Sequence, residues 1–458
     1  MYSDETIAAA ATAYGESGIG IIRVSGARAA EILQKIFVPH ADKTHENRSL
    51  VYGHVICPEK NEIIDEALAV LMRSPASYTR EDVAEIHCHG GAVALKRVLS
   101  LVFKSGARPA APGEFTKRAF LNGRLDLSQA EAVIDLVRAK TSRGFDAALG
   151  QLDGVLSEQI RQIRAALMAL LVKITVNIEY PDEDIEELTY RELSDSISQI
   201  GDEIEKLRRT AVRRSILRDG LSAVIFGSPN VGKSSLLNAL LNENRAIVTE
   251  IPGTTRDTIE EFVNINGIPV KLTDTAGIRR PENPIEEIGM EKSREALQRA
   301  DIVLFVLDGS RVLTAEEKAQ LASMGARPVI VLLNKSDLTQ RATAADVEAL
   351  LPDAIIVHTA ATKSEGIEAL CTAIEDMAWG GAIKREESLL VINTRHAHLL
   401  EQAAAALFDA HTMTTKGEAL DFVEVDLRNS WSLLGEIIGE TVSEDIIDKV
   451  FADFCLGK

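Results

Sequence analysis

The residues with the clearest chemical potential form the segment Gly227-Ser-Pro-Asn-Val-Gly-Lys-Ser234, which has the spacing G-x-x-x-x-G-K-[ST]. Its glycines let the backbone pass close to a phosphate group, and N–H groups at the start of a following helix favour negative charge there. Lys233 is expected to reach the β- and γ-phosphates of a nucleotide, and the Ser234 hydroxyl to hold Mg2+. The spacing therefore indicates a phosphate-binding loop.

The residues on either side supply the context that this loop requires. Leu221-Ser-Ala-Val-Ile-Phe226 is apolar and β-rich, which predicts a buried strand. Ser235-Leu-Leu-Asn-Ala-Leu-Leu241 is typical of the start of a helix. A chance glycine-rich turn is the alternative, but the strand, loop and helix in this order argue against it.

Further motifs follow in the order expected for a nucleotide site. The segment Asp274-Thr275-Ala276-Gly277 ends an apolar run, which suits a carboxylate on the Mg2+ side and a glycine that senses the γ-phosphate. Thr255, in Gly253-Thr-Thr-Arg-Asp257, is a candidate switch threonine that binds Mg2+.

The identity of the nucleotide base is predicted by the motif Asn334-Lys335-Ser336-Asp337. This motif follows the apolar run Pro328-Val-Ile-Val-Leu-Leu333. The Asp337 carboxylate can accept two parallel hydrogen bonds, from N1–H and the 2-amino group of guanine. Adenine lacks this donor pair, so the motif predicts selection of GTP over ATP.

Length, composition and charge limit the number of domains and the classes of ligand that are expected for this chain. The chain has 458 residues, which predicts two to four domains, with 46% hydrophobic and 26% charged residues. Its formal net charge of −19 argues against general nucleic-acid binding through the overall field. Contact with RNA would therefore need a local basic patch or a partner.

The cysteines and the N-terminus predict a cytoplasmic protein. Cys57, Cys88, Cys371 and Cys455 form no C-x-x-C pair, which suits a reducing compartment rather than a disulfide scaffold or structural zinc site. The first residues are acidic and lack the basic region of a signal peptide. No apolar run reaches the roughly 18 residues that a membrane span requires, so no membrane contact is expected.

Residues 1–120 have an α+β pattern, with strands predicted over 19–24, 67–72 and 83–89 and a helix over 27–37. Alternation places Glu85, His87 and His89 on one face of the third strand. The two histidines could bind a metal, but no third ligand is nearby. Polar side chains that face a cleft at a strand end are the favoured interpretation.

A helical pattern follows the Pro/Gly-rich stretch 108–115. Apolar residues recur at helical spacing from Leu152 to Leu171 and predict one long amphipathic helix that ends before Pro181. A second helix is predicted over 190–218. Its end is basic, which fits either an RNA contact or, preferably, a solvated helix terminus. The basic side chains are Lys206, Arg208, Arg209, Arg213, Arg214 and Arg218.

Residues 216 to about 378 alternate strands and helices, which predicts a doubly wound parallel sheet. Helical pattern returns from about 389 to 458. The simplest architecture is a multidomain chain in which this α/β domain is inserted between two parts of an all-α domain. The predicted domains are 1–120 (N-terminal), 121–215 (helical, first part), 216–380 (P-loop GTPase) and 381–458 (helical, second part, with a Cys-x-Gly-Lys tail).

With these motifs placed, the whole chain resembles the MnmE family, also called TrmE, of tRNA-modifying GTPases. The most specific marks are the stretch 112–127, Pro-Gly-Glu-Phe-Thr-Lys-Arg-Ala-Phe-Leu-Asn-Gly-Arg-Leu-Asp-Leu, the GTPase motifs and the tail Cys455-Leu-Gly-Lys458. The resemblance implies an N-terminal domain that binds a tetrahydrofolate derivative (5-formyl- or 5,10-methylene-tetrahydrofolate) and forms a homodimer. It also implies work with the FAD-dependent partner MnmG (GidA), in a heterotetramer or larger complex, on C5 of the tRNA wobble uridine. The tRNA is expected to be held mainly by that partner.

The resemblance also assigns site residues. It implies a potassium site at Asn230, Thr249, Ile251 and Thr254, Mg2+ ligands Ser234 and Thr255, a catalytic Glu286, and folate contacts Arg23, Glu85, Arg124 and Lys458. The implied GTP contacts are Asn230, Val231, Gly232, Lys233, Ser234, Ser235, Thr249, Thr254, Thr255, Asp274, Thr275, Ala276, Gly277, Asn334, Lys335, Asp337, Thr359, Ala360 and Ala361. Two positions depart from the family pattern: Arg124 stands where relatives can carry Lys, and Thr359-Ala-Ala361 stands where Ser-Ala-Lys is commoner.

Residue chemistry is consistent with these roles. Ile278 follows the Asp274–Gly277 motif, so the water-orienting glutamine of Ras-type GTPases is absent from that position. Glu286 is an available carboxylate, although by itself it would be interpreted as a surface helix residue. A potassium ion held by Asn230 could neutralise charge as an arginine finger does. Cys455 is either reactive or a small apolar anchor for the tail.

The predicted function is a K+-dependent GTPase, activated by dimerisation of its GTPase domains, that drives wobble-uridine modification. The main alternative is a ribosome- or RNA-associated GTPase switch without modification chemistry, which would have no use for a folate domain. A folate-dependent aminomethyltransferase acting alone is a third possibility, but it lacks a place for flavin chemistry.

Overall fold

The structure is a computed structural model that describes residues 5–40, 47–179, 189–244, 261–274, 297–325, 327–379, 393–452, 454, 455 and 457. The described chain divides into two compact units. The first contains residues 1–134, 151–201 and 402–458, and the second contains residues 135–150 and 202–401. The three-part architecture of an α+β N-terminal region, a helical region and an α/β region is confirmed.

A mixed seven-stranded sheet forms the N-terminal part of the first unit, with the order β3-β4-β5-β6-β2-β1-β7. Neighbouring strands are antiparallel except for β1 and β7. The strands are β1 (Ile7–Ala10), β2 (Gly20–Ser25), β3 (Phe37–Pro39), β4 (Val51–Cys57), β5 (Glu62–Met72), β6 (Val83–Cys88) and β7 (Arg108–Pro109). The predicted strands at 19–24, 67–72 and 83–89 are thus present.

Two amphipathic helices, α1 (Ala29–Ile36) and α2 (Ala92–Lys104), pack on this sheet. Their buried residues include Ile32, Leu33, Leu95 and Val98, which join the apolar face of the strands in one core. This burial explains why the segment 27–37 forms a helix that ends where β3 begins. The helix α3 (Glu114–Leu121) follows β7.

Long helices make up the rest of the first unit and part of the second. They are α4 (Leu127–Arg138), α5 (Ser142–Leu152), α6 (Val155–Glu179), α7 (Tyr190–Asp219), and, near the C-terminus, α12 (Thr394–Lys416), α13 (Leu420–Ile438) and α14 (Glu444–Ala452). Helices α6 and α13 pack against each other, and Arg164 of α6 donates to the Trp431 carbonyl at 3.2 Å. None of the described helices combines the length and the apolar run needed to cross a bilayer.

The predicted long amphipathic helix is confirmed as α6, but it begins at Val155 and excludes Leu152, because the chain turns between α5 and α6. Gly154 has a φ of +88°, a conformation that L side chains rarely adopt. Its N–H bonds the Gln151 carbonyl, and the Leu152 carbonyl accepts from the Gln129 side chain at 2.9 Å. These bonds end α5 and separate Leu152 from the apolar stripe of α6.

The second unit contains a six-stranded sheet of order β13-β12-β11-β8-β10-β9. The strands are β8 (Leu221–Phe226), β9 (Glu261–Ile265), β10 (Ile268–Asp274), β11 (Ile302–Asp308), β12 (Val329–Asn334) and β13 (Ile355–Thr359). All neighbours are parallel except β9, an antiparallel edge strand that was not among the predicted strands. β11 and β12 are buried along their whole length, as expected for strands covered on both faces.

Helices of this unit include α8 (Lys233–Asn244), α9 (Ala315–Ala322), α10 (Ala344–Glu348) and α11 (Ile367–Ala378), with a 3-10 turn at Ala361–Lys363. Thr314 and Thr343 begin α9 and α10 with complete capping boxes. Because the strands are parallel, their carboxyl ends meet at one edge of the sheet, where a ligand crevice is expected.

Candidate functional site

Two predicted site residues, Asn334 and Thr359, lie in one row with Asp308 at the carboxyl edge of the parallel sheet. Asp308, Asn334 and Thr359 end β11, β12 and β13 and are paired in register across these strands. Asp274 ends β10 beside β8, in register with Ile225. Residues as far apart in the sequence as Asp274 and Thr359 therefore lie at one edge of the sheet.

The phosphate loop connects β8 to α8 and contains residues with left-handed backbone. Asn230 has a φ of +62° and Gly232 a φ of +103°. A side-chain carbon added at Gly232 would lie 2.2 Å from Asn334 Nδ2. Gly232 is therefore needed both for its conformation and for the close approach of Asn334.

Asn334 joins the phosphate loop to the loop after β13. Its Nδ2 donates to the Val231 carbonyl at 2.8 Å. Its Oδ1 accepts from the Thr359 hydroxyl at 3.2 Å and from the Ala361 N–H at 3.1 Å. Asn334 and Thr359 are buried, so both ends of this amide are satisfied away from water. One side chain thus positions two segments of the predicted nucleotide site.

Lys233 is buried and its Nζ donates to the carbonyls of Gly227 and Ser228, each at 2.8 Å. Ser234 and Ser235 follow in the first turn of α8, and Ser234 is exposed. The helix N-terminus, the lysine and the exposed hydroxyl occupy the positions that phosphate and Mg2+ binding require.

The predicted base-reading residues lie beyond β12. Asp337 is 3.2 Å from Lys363 Nζ, and Lys335 Nζ bonds Asp308 at 2.6 Å. Burial by itself would raise the pKa of Asp308, but hydrogen bonds from Lys335 and Ser310 outweigh it and lower that pKa below its ordinary value. Asp308 therefore remains ionised and fixes Lys335, whose φ of +63° is rare for a residue with a side chain. Ala360 and Ala361 are buried beside them.

Several predicted residues lie outside the described residues. They are Thr249, Ile251, Thr254 and Thr255 in 245–260, Thr275, Ala276, Gly277 and Glu286 in 275–296, and Lys458.

A second cluster lies on the N-terminal sheet and brings together three of the predicted folate contacts. Arg23 and Glu85 are cross-strand partners on β2 and β6, and Arg23 Nε bonds Glu85 Oε1 at 2.8 Å. The Arg23 guanidinium lies 5.4 Å from the centre of the Tyr78 ring, and that of Arg124 lies 4.5 Å from the same ring. Both distances are within the range of cation–π attraction.

Sequence reasoning missed Tyr78 and Phe115, whose rings lie beside Arg23. Phe115 is fully buried with its ring centre 5.7 Å from the Arg23 guanidinium, and the Tyr78 hydroxyl hydrogen-bonds Thr116 at 2.9 Å. Phe115 was visible as part of the 112–127 stretch. Tyr78 carried no signal, because it lies in a loop between two strands and meets the arginines only in the fold.

The histidines near this cluster are held by separate carboxylates. His87 Nε2 lies 3.5 Å from Glu85, whereas His89 follows the end of β6 and its Nδ1 bonds Asp65 at 2.7 Å. The hydrogen bond and charge of Asp65 raise the pKa of His89 above its ordinary value. Among the described residues, no group of three or more His, Cys, Asp and Glu side chains is placed to hold a metal ion.

The C-terminal tail lies against the N-terminal sheet of the same chain. Gly457 has a φ of +89°, and a side-chain carbon there would lie 2.1 Å from the Ala10 carbonyl oxygen. The Gly113 N–H bonds the Cys455 carbonyl at 3.4 Å, and Phe454 is buried against Phe451. Cys455 itself is exposed. The tail is thus in position beside β1, as expected if Lys458 belongs to an N-terminal site.

The sheet order, the phosphate loop and the base-reading segments define a P-loop GTPase domain carried by a chain with an α+β N-terminal region and long helices. Family models match on both sides of that domain: the GTP-binding protein TrmE N-terminus over residues 6–124 and the MnmE helical domain over residues 127–455. The chain belongs to the MnmE family.

Relatives that match this chain over nearly its full length are all described as tRNA modification GTPase MnmE. The chain is 47% identical to the tRNA modification GTPase MnmE of Alkaliphilus oremlandii and 49% identical to that of Geobacillus kaustophilus, each match covering 100% of both chains. It is 50% identical to that of Lysinibacillus sphaericus over 99% of each chain. The predicted family and the prediction of a GTPase are confirmed.

Proposed function

We propose that this protein hydrolyses GTP to drive modification of C5 of the tRNA wobble uridine, with a tetrahydrofolate derivative as the one-carbon donor. The carboxymethylaminomethyl or aminomethyl group is installed together with the FAD-dependent partner MnmG. The observation that carries the proposal is the presence, on one chain, of the Asn334-linked nucleotide loops and of the Arg23–Glu85 pair beside Tyr78.

The residues of the N-terminal cluster fit a folate. A pterin ring presents an N3–H beside a 2-amino group, the donor pair that a carboxylate such as Glu85 accepts. Arg23 forms a direct ion pair with that carboxylate at 2.8 Å, and the Tyr78 ring offers an aromatic surface beside Arg23. Arg124 supplies positive charge for the glutamate part of the ligand, and Lys458 is proposed to join it through the tail. The bound folate would supply the one-carbon unit.

In the nucleotide site, Asp337 would read guanine while the loop 227–234 and the N-terminus of α8 hold the phosphates. Ser234 and Thr255 are the proposed Mg2+ ligands, and Asn230, Thr249, Ile251 and Thr254 the proposed K+ ligands. Glu286 would orient the attacking water. Binding of K+ would also bring together the two GTPase domains of a homodimer.

Mass spectrometry of tRNA nucleosides tests the proposal. A strain that lacks the protein should lose the modified wobble uridine, and the wild-type gene should restore it. A gene carrying Glu85→Gln should not restore it, although its product should hydrolyse GTP at the wild-type rate. The matched control is Glu62→Gln, which removes an exposed carboxylate paired with Arg97 on the same sheet. An unchanged nucleoside profile in the deletion strain would contradict the proposal and favour a GTPase switch without modification chemistry.

Potassium dependence has a direct test. GTP turnover should be faster in KCl than in NaCl at equal ionic strength, and Asn230→Ala should remove the difference. Equal turnover in both salts would exclude the proposed K+ site.

The proposed cytoplasmic location is testable by fractionation of cells that produce the tagged protein.

A further inference from the structure

An arginine-lined cleft extends beyond Arg124, and neither the GTP site nor the Glu85 site accounts for it. The cleft has a volume of about 500 Å³ and is formed by Arg48, Met72, loop residues 75–78, Arg80 and Arg124. This volume lies within the roughly 300–1,000 Å³ typical of small-molecule sites. We call it the arginine cleft.

The three arginines of the cleft have no carboxylate partner among the described residues. Arg48 donates to the Ala76 carbonyl at 2.7 Å, Arg80 to the Asn122 carbonyl at 2.9 Å, and Arg124 to the Tyr78 carbonyl at 3.1 Å. Each guanidinium has five N–H donors, so these contacts orient the groups and leave most donors available.

The acidic residues next to Arg80 are already neutralised by other arginines. Glu81 accepts from Arg118 at 3.0 Å, and Asp82 accepts from Arg73 at 2.6 Å. The positive charge of the cleft is therefore not cancelled by its sequence neighbours. An anion that enters the cleft would meet guanidinium groups suited to bidentate pairing.

Two of these arginines also have an unusual backbone. Arg48 has a φ of +65° and Arg80 a φ of +59°, a region that few residues with side chains occupy. Such conformations cluster at ligand sites, where the surrounding structure maintains them. Lys335 and Asn230 of the nucleotide site share this property.

The cleft is continuous with the proposed folate site through Tyr78. The guanidinium groups of Arg23 and Arg124 both lie over its ring, and Tyr78 also lines the cleft. Glu85, Arg23, Tyr78 and Arg124 thus form a connected path from the proposed pterin acceptor to the cleft. A ligand that is aromatic at one end and polyanionic at the other matches this path.

We propose that the arginine cleft binds the carboxylates of a poly-γ-glutamyl tail on the folate, with Arg48 and Arg80 contacting glutamates beyond the first. This inference rests on the proposed function, because it extends the folate site. A tail of γ-linked glutamates adds one carboxylate per residue, which suits arginines spaced along a cleft. RNA phosphates are a less suitable ligand, since the protein's net charge of −19 opposes a large polyanion.

The test compares two ligands by calorimetry on the full chain: 5-formyl-tetrahydrofolate with one glutamate and with three. Wild type should bind the triglutamate about fivefold or more tightly than the monoglutamate, the upper scale of exposed ion pairs. The preference for the triglutamate should decrease when KCl is raised from 50 to 300 mM, because the Debye length then falls roughly twofold. Arg48→Gln with Arg80→Gln should reduce the preference to about one, whereas Arg48→Lys with Arg80→Lys should retain part of it.

The control is Arg97→Gln, which removes one positive charge from an exposed arginine of this sheet domain that does not line the cleft, for comparison with each single substitution, Arg48→Gln and Arg80→Gln. It should keep the full triglutamate preference. The far-ultraviolet circular dichroism spectrum and urea unfolding of every variant, measured alongside, verify that the N-terminal domain is folded.

The outcomes are separable. Equal wild-type affinity for the two ligands, or a double variant that weakens both equally, would overturn the arginine cleft while leaving the folate site intact. Failure of wild type to bind either ligand would overturn the proposed folate function as well. Single-stranded RNA that binds wild type and not the double variant, without triglutamate preference, would assign the cleft to nucleic acid and overturn the proposal.

Discussion

At the scale of single residues, the nucleotide site depends on side chains that each serve two neighbours. Asn334 bonds the phosphate loop and the loop after β13, and Asp308 holds Lys335. Asp337 lies outside this shared network and pairs with Lys363, whose side chain is half exposed. Its carboxylate is therefore the part of the site most directly available to a base.

Asp337→Asn should change the choice of base. The carboxylate suits guanine's two donors, and a site built on such a pair rejects an analogue without it by about 10^4-fold. The amide of asparagine suits xanthine, which has a carbonyl in place of the 2-amino group. Equilibrium binding of GTP, ATP and xanthosine triphosphate should show weaker GTP and stronger xanthosine triphosphate binding in the variant.

Asp353→Asn, an exposed carboxylate of the same unit, is the control and should leave all three affinities unchanged. Wild-type binding of ATP as tight as that of GTP would show that Asp337 does not read the base.

At the scale of elements, the phosphate loop is shaped by contact with the end of β12 as well as by its own glycines. Gly232→Ala would require a left-handed alanine and a contact of 2.2 Å with Asn334 Nδ2. Backbone strain of this kind costs about 1–3 kcal/mol, so GTP binding should weaken by roughly tenfold or more.

The control is Gly201→Ala, a helical glycine with open space around it. That change should be neutral or slightly stabilising, because alanine favours helix. Fluorescent nucleotide titrations measure both variants, and unchanged binding in Gly232→Ala would mean that Asn334 can move without consequence.

The start of α3 makes the stability of the first unit depend on acid. Burial by itself would raise the pKa of Glu114, but bonds from Arg108, the Ala111 N–H and Arg118 outweigh it and lower that pKa from 4.5 to about 2. Because the folded-state pKa is depressed, the stabilisation is present above about pH 4.5 and is lost as pH falls towards 2.

Glu114→Gln should therefore lower the free energy of unfolding of this unit by about 3 kcal/mol at pH 7, the scale of breaking a buried pair. The difference from wild type should close as pH falls below 4.5. Urea unfolding of both proteins at pH 7, 5 and 3 measures this difference in free energy. The unfolding transition of the first unit is identified as the one that the substitution shifts at pH 7. A difference that stays constant with pH would show that the ion pairs contribute nothing to this unit's acid sensitivity.

The elements also show which features the sequence could predict. The strands 221–226 and 329–334, the phosphate loop and helix α7 follow from apolar periodicity and glycine spacing, which are local properties. The break at Gly154, the edge strand β9 and the role of Tyr78 depend on contacts between distant segments. The spatial pairing of Gly232 with Asn334 is likewise invisible in sequence, although each residue belongs to a recognisable motif.

At the scale of the whole molecule, the tail connects the C-terminal helices with the N-terminal sheet. Helix α14 contributes Asp448 to an ion pair with Lys117 of α3, and Phe451 and Phe454 are buried with residues of α4. In contrast, three cations of the basic segment, Lys206, Arg208 and Arg209, are paired within their own helix with Glu203 and Glu205. These pairs favour the solvated helix end over an RNA contact.

Deletion of residues 455–458 should abolish tRNA modification and leave GTP hydrolysis largely intact, since the tail lies beside β1 in the first unit and the nucleotide loops belong to the second. Nucleoside mass spectrometry and phosphate release measure the two activities. Cys455→Ala is the companion variant: full modification would identify Cys455 as an anchor, and loss of modification alone would identify it as reactive. Wild-type modification by the truncated chain would show that the tail is not part of the site.

The close approach of Gly457 to Ala10 also sets an order of events during synthesis. Domains generally fold as they emerge from the ribosome, N-terminal first, and a chain of this length takes on the order of a minute to make. Strand β1 therefore has its sheet partners long before the glycine that covers the Ala10 carbonyl exists. A chain released from the ribosome before residue 457 is made would therefore carry a formed N-terminal sheet in which the Ala10 carbonyl lacks this contact.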